Sequence, residues 1–184
     1  MQGEFHRTLR SSIVISMESL FDSLPPITGL VLLIGAPGSG KSTFATRLIA
    51  HQHLDKEAYI SNDVIAKELF GVTVDRGDKD GAIFAKQDRR IAAQLKAGKV
   101  AIVDATNVKP EARARLIAIA VKYHRPVMAF CFRRDEATLL RQNQQRDVKV
   151  PETMVIEYAD LMRSVTDEQL RGEGIGTVVE VPLS

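Results

Sequence analysis

Residues 35–42 read Gly35-Ala36-Pro37-Gly38-Ser39-Gly40-Lys41-Ser42, and directly before them runs Leu30-Val31-Leu32-Leu33-Ile34. The octet matches G-x-x-x-x-G-K-[ST], a pattern that is informative only where a strand precedes it and a helix follows. Both are present. The apolar run has the length of a buried strand, and from Thr43 onward Phe44, Ala45, Leu48 and Ile49 recur at helical spacing. The chemistry explains the spelling. Backbone N–H groups must wrap a polyphosphate closely, and Gly35, Gly38 and Gly40 remove the side chains that would prevent it. Lys41 is expected to place its ammonium on the β/γ-phosphates and Ser42 to offer its hydroxyl to Mg²⁺. A helix starting here turns its positive end toward the phosphates. A glycine-rich turn that matches by accident would lack the flanking strand and helix. Residues 35–43, from Gly35 through Thr43, therefore read as the binding loop of a nucleoside triphosphate, ATP with Mg²⁺.

Outward from this loop, short apolar runs alternate with helical patterns. Strands are expected at 30–34, 58–60, 100–103, 127–132 and 177–181. Helices are expected at 41–51, 64–70, 81–97, 110–122, 136–146 and 151–163. This alternation predicts an α/β fold of three layers, α/β/α, with a mostly parallel sheet. Boundary residues agree: Gly98 ends one helix, Pro110 starts another, Pro126 follows its end, and Asp135 is an N-cap for the next. The polar stretch from Val74 to Gly81 reads as a loop. Residues 1–27 form an N-terminal extension ending at Leu24-Pro25-Pro26, with Ser19-Leu20-Phe21 expected at the domain edge and Met17 as an alternative start. Residues 28–184 form the nucleotide-binding domain.

The bulk properties narrow the setting. A chain of 184 residues with 45% apolar content suits one α/β domain. Lys+Arg number 25 against 23 Asp+Glu, and a net charge of +2 neither requires nor excludes a nucleic-acid partner. No apolar run approaches the ~18 residues of a membrane span. The single cysteine, Cys131, allows no disulfide and reads as a small core residue, so a cytoplasmic location is expected.

Three further patches bear on the fate of the γ-phosphate. In Ile60-Ser61-Asn62-Asp63 a carboxylate follows a short strand, at the end where open parallel sheets gather ligands. Two readings of Asp63 stay open: a base for an attacking hydroxyl, or, with Asn62, a cap for the helix at Val64. In Val100-Ala101-Ile102-Val103-Asp104 an apolar strand ends in an Asp suited to holding Mg²⁺ or its water, and Thr106 and Asn107 then offer polar groups to a substrate. The helix through Leu139-Leu140-Arg141-Gln142-Asn143-Gln144-Gln145-Arg146 is similar to a kinase lid. Its arginines either close over the transferring phosphoryl group or form a solvated face. Arg133 and Arg134 read as surface charges at a strand–helix turn.

Taken together, these motifs resemble the kinase domain of the phage-type 5′-hydroxyl polynucleotide kinases, AAA-type kinases of the P-loop kinase superfamily. The likeness spans about residues 28–165, on residues 35–42, Ser61-Asn62-Asp63, Asp104-Ala105-Thr106-Asn107 with Pro110-Glu111-Ala112-Arg113, and Asn143-Gln144-Gln145-Arg146 leading to Val150-Pro151. It implies a P-loop fold with a helical lid at about 134–150, Asp63 as general base, and Arg146 on the donor phosphates. It also implies a 5′-hydroxyl nucleic acid as acceptor, bound through Asn62, Asp63, Thr106 and Asn107. Two positions depart from the pattern: Ala66 stands where the family carries an arginine for the acceptor's phosphate, and Gln142 where it carries a second lid arginine. A small metabolite or antibiotic is the alternative acceptor, and an ATPase-type switch, with water as acceptor, the alternative class.

Overall fold

The structure, a computed structural model, describes residues 16–71 and 77–182. The expected loop over 74–81 lies partly outside these residues, as do the first fifteen. Its described end, Gly77–Lys79, is a 3₁₀ turn that leads into a helix at Asp80.

In chain order the elements are α1 (Met17–Ser23), β1 (Leu30–Ile34), α2 (Lys41–His51), β2 (Tyr59–Ser61), α3 (Asn62–Phe70), α4 (Asp80–Lys96), β3 (Ala101–Asp104), α5 (Pro110–Lys122), β4 (Val127–Cys131), α6 (Glu136–Gln144), α7 (Glu152–Ser164), α8 (Asp167–Gly172) and β5 (Thr177–Glu180). The five strands form one sheet in the order β2-β3-β1-β4-β5. All four pairings are parallel. The strand that feeds the phosphate loop is therefore central, with β3 and β4 on either side.

The apolar runs reflect burial on both faces. On one face Leu30, Leu32, Ile34, Ile60, Val103 and Cys131 pack against α3, α4, α5, α7 and α8. On the other, Val31, Leu33, Ile102, Phe130 and Phe132 meet α1 and α2. Side chains of successive strand residues point to opposite faces, so one strand serves both layers. Phe44 of α2 anchors the second face, with its ring 5.2 Å from Phe21, 4.8 Å from Phe130 and 5.3 Å from Phe132. Phe21 and Leu20 join α1 to this core, so the N-terminal stretch from residue 17 packs on the domain. Cys131 is fully buried, and burial pushes its thiol up to about 12. No helix among the described residues is long and apolar enough to cross a membrane.

Two expectations near the carboxyl end of the sheet are corrected. Helix α6 ends at Gln144, so Arg146 lies in the turn beyond it and shares no helical face with Gln142. Arg133 and Arg134 are half-buried and have protein partners, rather than standing as free surface charges. Arg134 donates to the Val181 and Pro182 carbonyls, and Arg133 joins Glu180, Asp167 and the Val165 carbonyl, fastening the β5 end of the sheet.

Candidate active site

The loop between β1 and α2 is tied at its base, where the Gly35 N–H donates to the Thr106 carbonyl at 2.9 Å. Gly38 has φ +81°, and a Cβ there would stand 2.7 Å from the Leu139 carbonyl oxygen. Only glycine therefore allows α6 to lie across the loop. Ala36, Leu139, Val155 and Ala159 form a small apolar cluster that holds loop, α6 and α7 together. Asn143 ties the segment after α6 back to the helix: its amide nitrogen donates to the Val150 carbonyl at 2.7 Å, and its amide oxygen accepts from the Val150 N–H at 3.1 Å.

Lys41 opens α2 and is 8% exposed. Its ammonium donates to the Gly35 carbonyl (2.9 Å), the Ala36 carbonyl (2.8 Å) and the Ser39 hydroxyl (3.2 Å). Those three acceptors match its three N–H bonds. Burial lowers its pKa to about 8; Asp104 opposes that shift, Arg146 adds to it, and Asp63 opposes it. Asp104, Asp63 and Arg146, from three separate parts of the chain, thus act on the Lys41 charge at the carboxyl end of the sheet.

Asp104 ends β3, opposite Ser61 of β2, and is 7% exposed. Its Oδ2 accepts a hydrogen bond from the Tyr59 hydroxyl at 2.5 Å. Burial and the Asp104 carboxylate raise the Tyr59 pKa, and the hydroxyls of Ser61 and Ser42 act on the same phenol in the opposite direction. Ser42 and Asp104 therefore both act on the Tyr59 phenol. A hydroxyl and a carboxylate are the hard oxygen donors that Mg²⁺ takes, so the residues present fit that ion. Ser42 and Asp104 would hold it, and its charge would offset that of the phosphates.

At α3 the cap is Ser61, whose hydroxyl accepts from the Val64 N–H at 3.5 Å. Asp63 is therefore not the cap. Its Oδ2 lies 3.5 Å from Nη2 of Arg146, with the Asp63 side chain 56% exposed. Arg141 stays at the surface, where it donates to the Thr138 hydroxyl. Asn62 is buried, and its Oδ1 has no hydrogen-bond partner among the described residues.

Sequence reasoning places Asn107 beside a docked substrate; the structure turns it inward. It adopts φ +51°, which Asn tolerates better than most residues. Its amide nitrogen donates to the Leu33 carbonyl at 2.9 Å and the Val103 carbonyl at 3.3 Å, linking β1 to β3. Thr106 is half-buried, with its carbonyl on the phosphate loop. Arg113 is fully buried and braces this segment, donating to the Asn107 and Val108 carbonyls and, through two bonds, to Glu173. Motif reading passes over Tyr59, because its meaning lies in its register beside β3.

The order β2-β3-β1-β4-β5, with the phosphate loop leaving the central strand, gives a P-loop kinase-like fold. The chain belongs to the AAA domain family, whose sequence pattern matches residues 30–168. Among solved structures it is similar to a chain of the Pnkp1/Rnl/Hen1 RNA repair complex, at 22% identity and a TM-score of 0.65, covering 77% of this chain and 46% of that one. It thus spans about half of that protein. It is also similar to a gluconokinase from Sinorhizobium meliloti 1021, at 19% identity and a TM-score of 0.55, over 85% and 84% of the two chains. A shikimate kinase from Acinetobacter baumannii matches at 15% identity and a TM-score of 0.52, over 92% and 89%. Likenesses at these identities concern the fold; the chemistry is argued from the site.

Proposed function

We propose that this chain is an ATP- and Mg²⁺-dependent kinase that transfers the γ-phosphoryl group of ATP to a hydroxyl, with the 5′-OH of a polynucleotide as the leading acceptor. One observation carries the reading: the buried Lys41 ammonium sits on the phosphate loop within the field of Asp104, Arg146 and Asp63, and Arg146 stands 3.5 Å from Asp63. In this reading Lys41 exchanges the loop carbonyls for the β/γ-phosphates, and Ser42 and Asp104 hold Mg²⁺. Asp63 accepts the proton of the acceptor hydroxyl as its oxygen bonds to the γ-phosphorus and the bond to ADP breaks. Arg146, paired with Asp63 in the structure, turns to the more strongly anionic triphosphate and frees the carboxylate. Preorganised charge of this kind is the main resource of phosphoryl-transfer sites.

Ala66 favours the second reading, a small-molecule kinase. It is 4% exposed and packed in the core beside Ile65, so no cation stands where the resemblance places an acceptor-phosphate arginine. The test uses γ-labelled ATP and Mg²⁺, with and without a short 5′-hydroxyl oligonucleotide, beside a Lys41→Ala control. Label on the oligonucleotide, absent in the control, supports the polynucleotide reading. ATP consumption without labelled oligonucleotide rejects it in favour of a metabolite kinase or an ATPase.

A further inference from the structure

Tyr59 stands outside every motif, yet it makes the closest contact at the expected cation site. Its register explains how. Tyr59 pairs with Ile102 and Ser61 with Asp104, so the phenol reaches diagonally, two residues along the neighbouring strand. Diagonal cross-strand partners are within range of long aromatic side chains. Parity puts the group on one face: Ile102 belongs to the core beneath α2, Tyr59 packs against that same core, and Asp104 lies two residues beyond Ile102. Helix α2, which carries Ser42, covers this face.

We infer that Tyr59 is a positioning residue for Mg²⁺, holding Oδ2 of Asp104 through its phenol so that Oδ1 and the Ser42 hydroxyl form the ion's protein edge. The inference rests on the ATP·Mg²⁺ part of the proposed function and on no particular acceptor. Among the described residues the Tyr59 bond is the only hydrogen bond to the Asp104 carboxylate. The competing attraction is the buried Lys41 ammonium, whose charge Asp104 stabilises. Without the phenol, the carboxylate turns toward Lys41 and away from Ser42. Partners that orient a metal-binding side chain typically change metal affinity by about 10–100-fold.

The experiment is calorimetric titration of ATP into the full chain at a series of Mg²⁺ concentrations, and with EDTA, for wild type, Tyr59→Phe, Asp104→Asn and the double variant. Phenylalanine keeps the ring that fills the core, and thermal melts without metal check that each variant folds. In Tyr59→Phe the Mg²⁺ concentration for half-maximal enhancement of ATP affinity should rise about tenfold or more. Metal-free ATP affinity should stay within about twofold, because the phenol's hydrogen bond goes to the Asp104 carboxylate and not to the loop backbone that wraps phosphate. In the Asp104→Asn background, Tyr59→Phe should add no further shift. An unchanged midpoint in Tyr59→Phe overturns the inference, as does a parallel loss of metal-free affinity, which is what a merely structural role produces. Absence of ATP binding by the wild type would instead overturn the proposed function.

Discussion

Replacing Arg113 with methionine removes a guanidinium that is 0% exposed and donates four hydrogen bonds. Two go to Glu173, at 2.6 and 2.7 Å, and two to the Asn107 and Val108 carbonyls, at 3.0 and 2.7 Å. Breaking a buried ion pair from one side costs about 3–5 kcal/mol, since the surviving charge is stranded. The Glu173 side chain is 21% exposed and gains some water, which moves the expectation toward the lower figure. Each carbonyl left without a donor works the other way, by about 1–3 kcal/mol at most. The net expectation for Arg113→Met is a loss of about 3–4 kcal/mol, a large share of the ~5–15 kcal/mol typical of a domain. For a chain of this size the melting temperature should fall by roughly 6–16 °C. Urea unfolding followed by circular dichroism measures the loss. The companion Arg113→Met/Glu173→Leu should regain at least half, because removing both charges leaves none unpaired. A loss below about 1 kcal/mol, or a double variant no better than the single, would refute the claim that this pair braces the segment after Asp104.

Three further outcomes are expected. Asp63→Asn should lower phosphoryl transfer by about 10²–10⁴-fold while ATP affinity stays unchanged, in steady-state assays beside nucleotide titrations; equal turnover in both proteins would remove Asp63 from the mechanism. At pH 8 the Lys41 ammonium, with its pKa lowered to about 8, is partly deprotonated in the free protein. Bound phosphates raise that pKa, so ATP binding should take up a fraction of a proton, seen by calorimetry in buffers of different ionisation enthalpy and absent in Lys41→Met. Gly38→Ala should weaken ATP binding more than Gly40→Ala. Both have positive φ, but a Cβ at Gly38 meets the Leu139 carbonyl at 2.7 Å and one at Gly40 meets nothing within 4 Å. Equal effects would mean that contact with α6 does not shape the loop.

Much of the fold was legible because its signals are local. The strand–loop–helix over 30–51 carries its own periodicity and phosphate chemistry, and the bounds of β1, α2 and α5 coincide with expectation. Caps told their ends: Asp135 accepts from the Thr138 N–H at 2.8 Å, and Gly98 closes α4 with φ +75°. Short helices escaped. In α1, α8 and the end of α6 there are too few turns for a period to show, and single caps at Ser16 and Thr166 do the work. The bare residues could not choose between Asp63 as base and as cap, because Ser61 stands next in line with an equally suitable hydroxyl.

The sequence by itself determined an α/β chain with a triphosphate-binding loop, since that reading needs only neighbours along the chain. Tertiary structure decided the rest of the site. Strand order set β3 beside β2, and only that register brings Tyr59 to Asp104. The turn after α6 set Arg146 beside Asp63, across 83 positions of sequence. The fold turned Asn107 into the sheet and sealed Arg113 against Glu173, polar residues whose exposed and buried roles are spelled alike. Spacing within an element fixes which side chains share a face. What faces them is decided by elements far along the chain, through packing that no local pattern records.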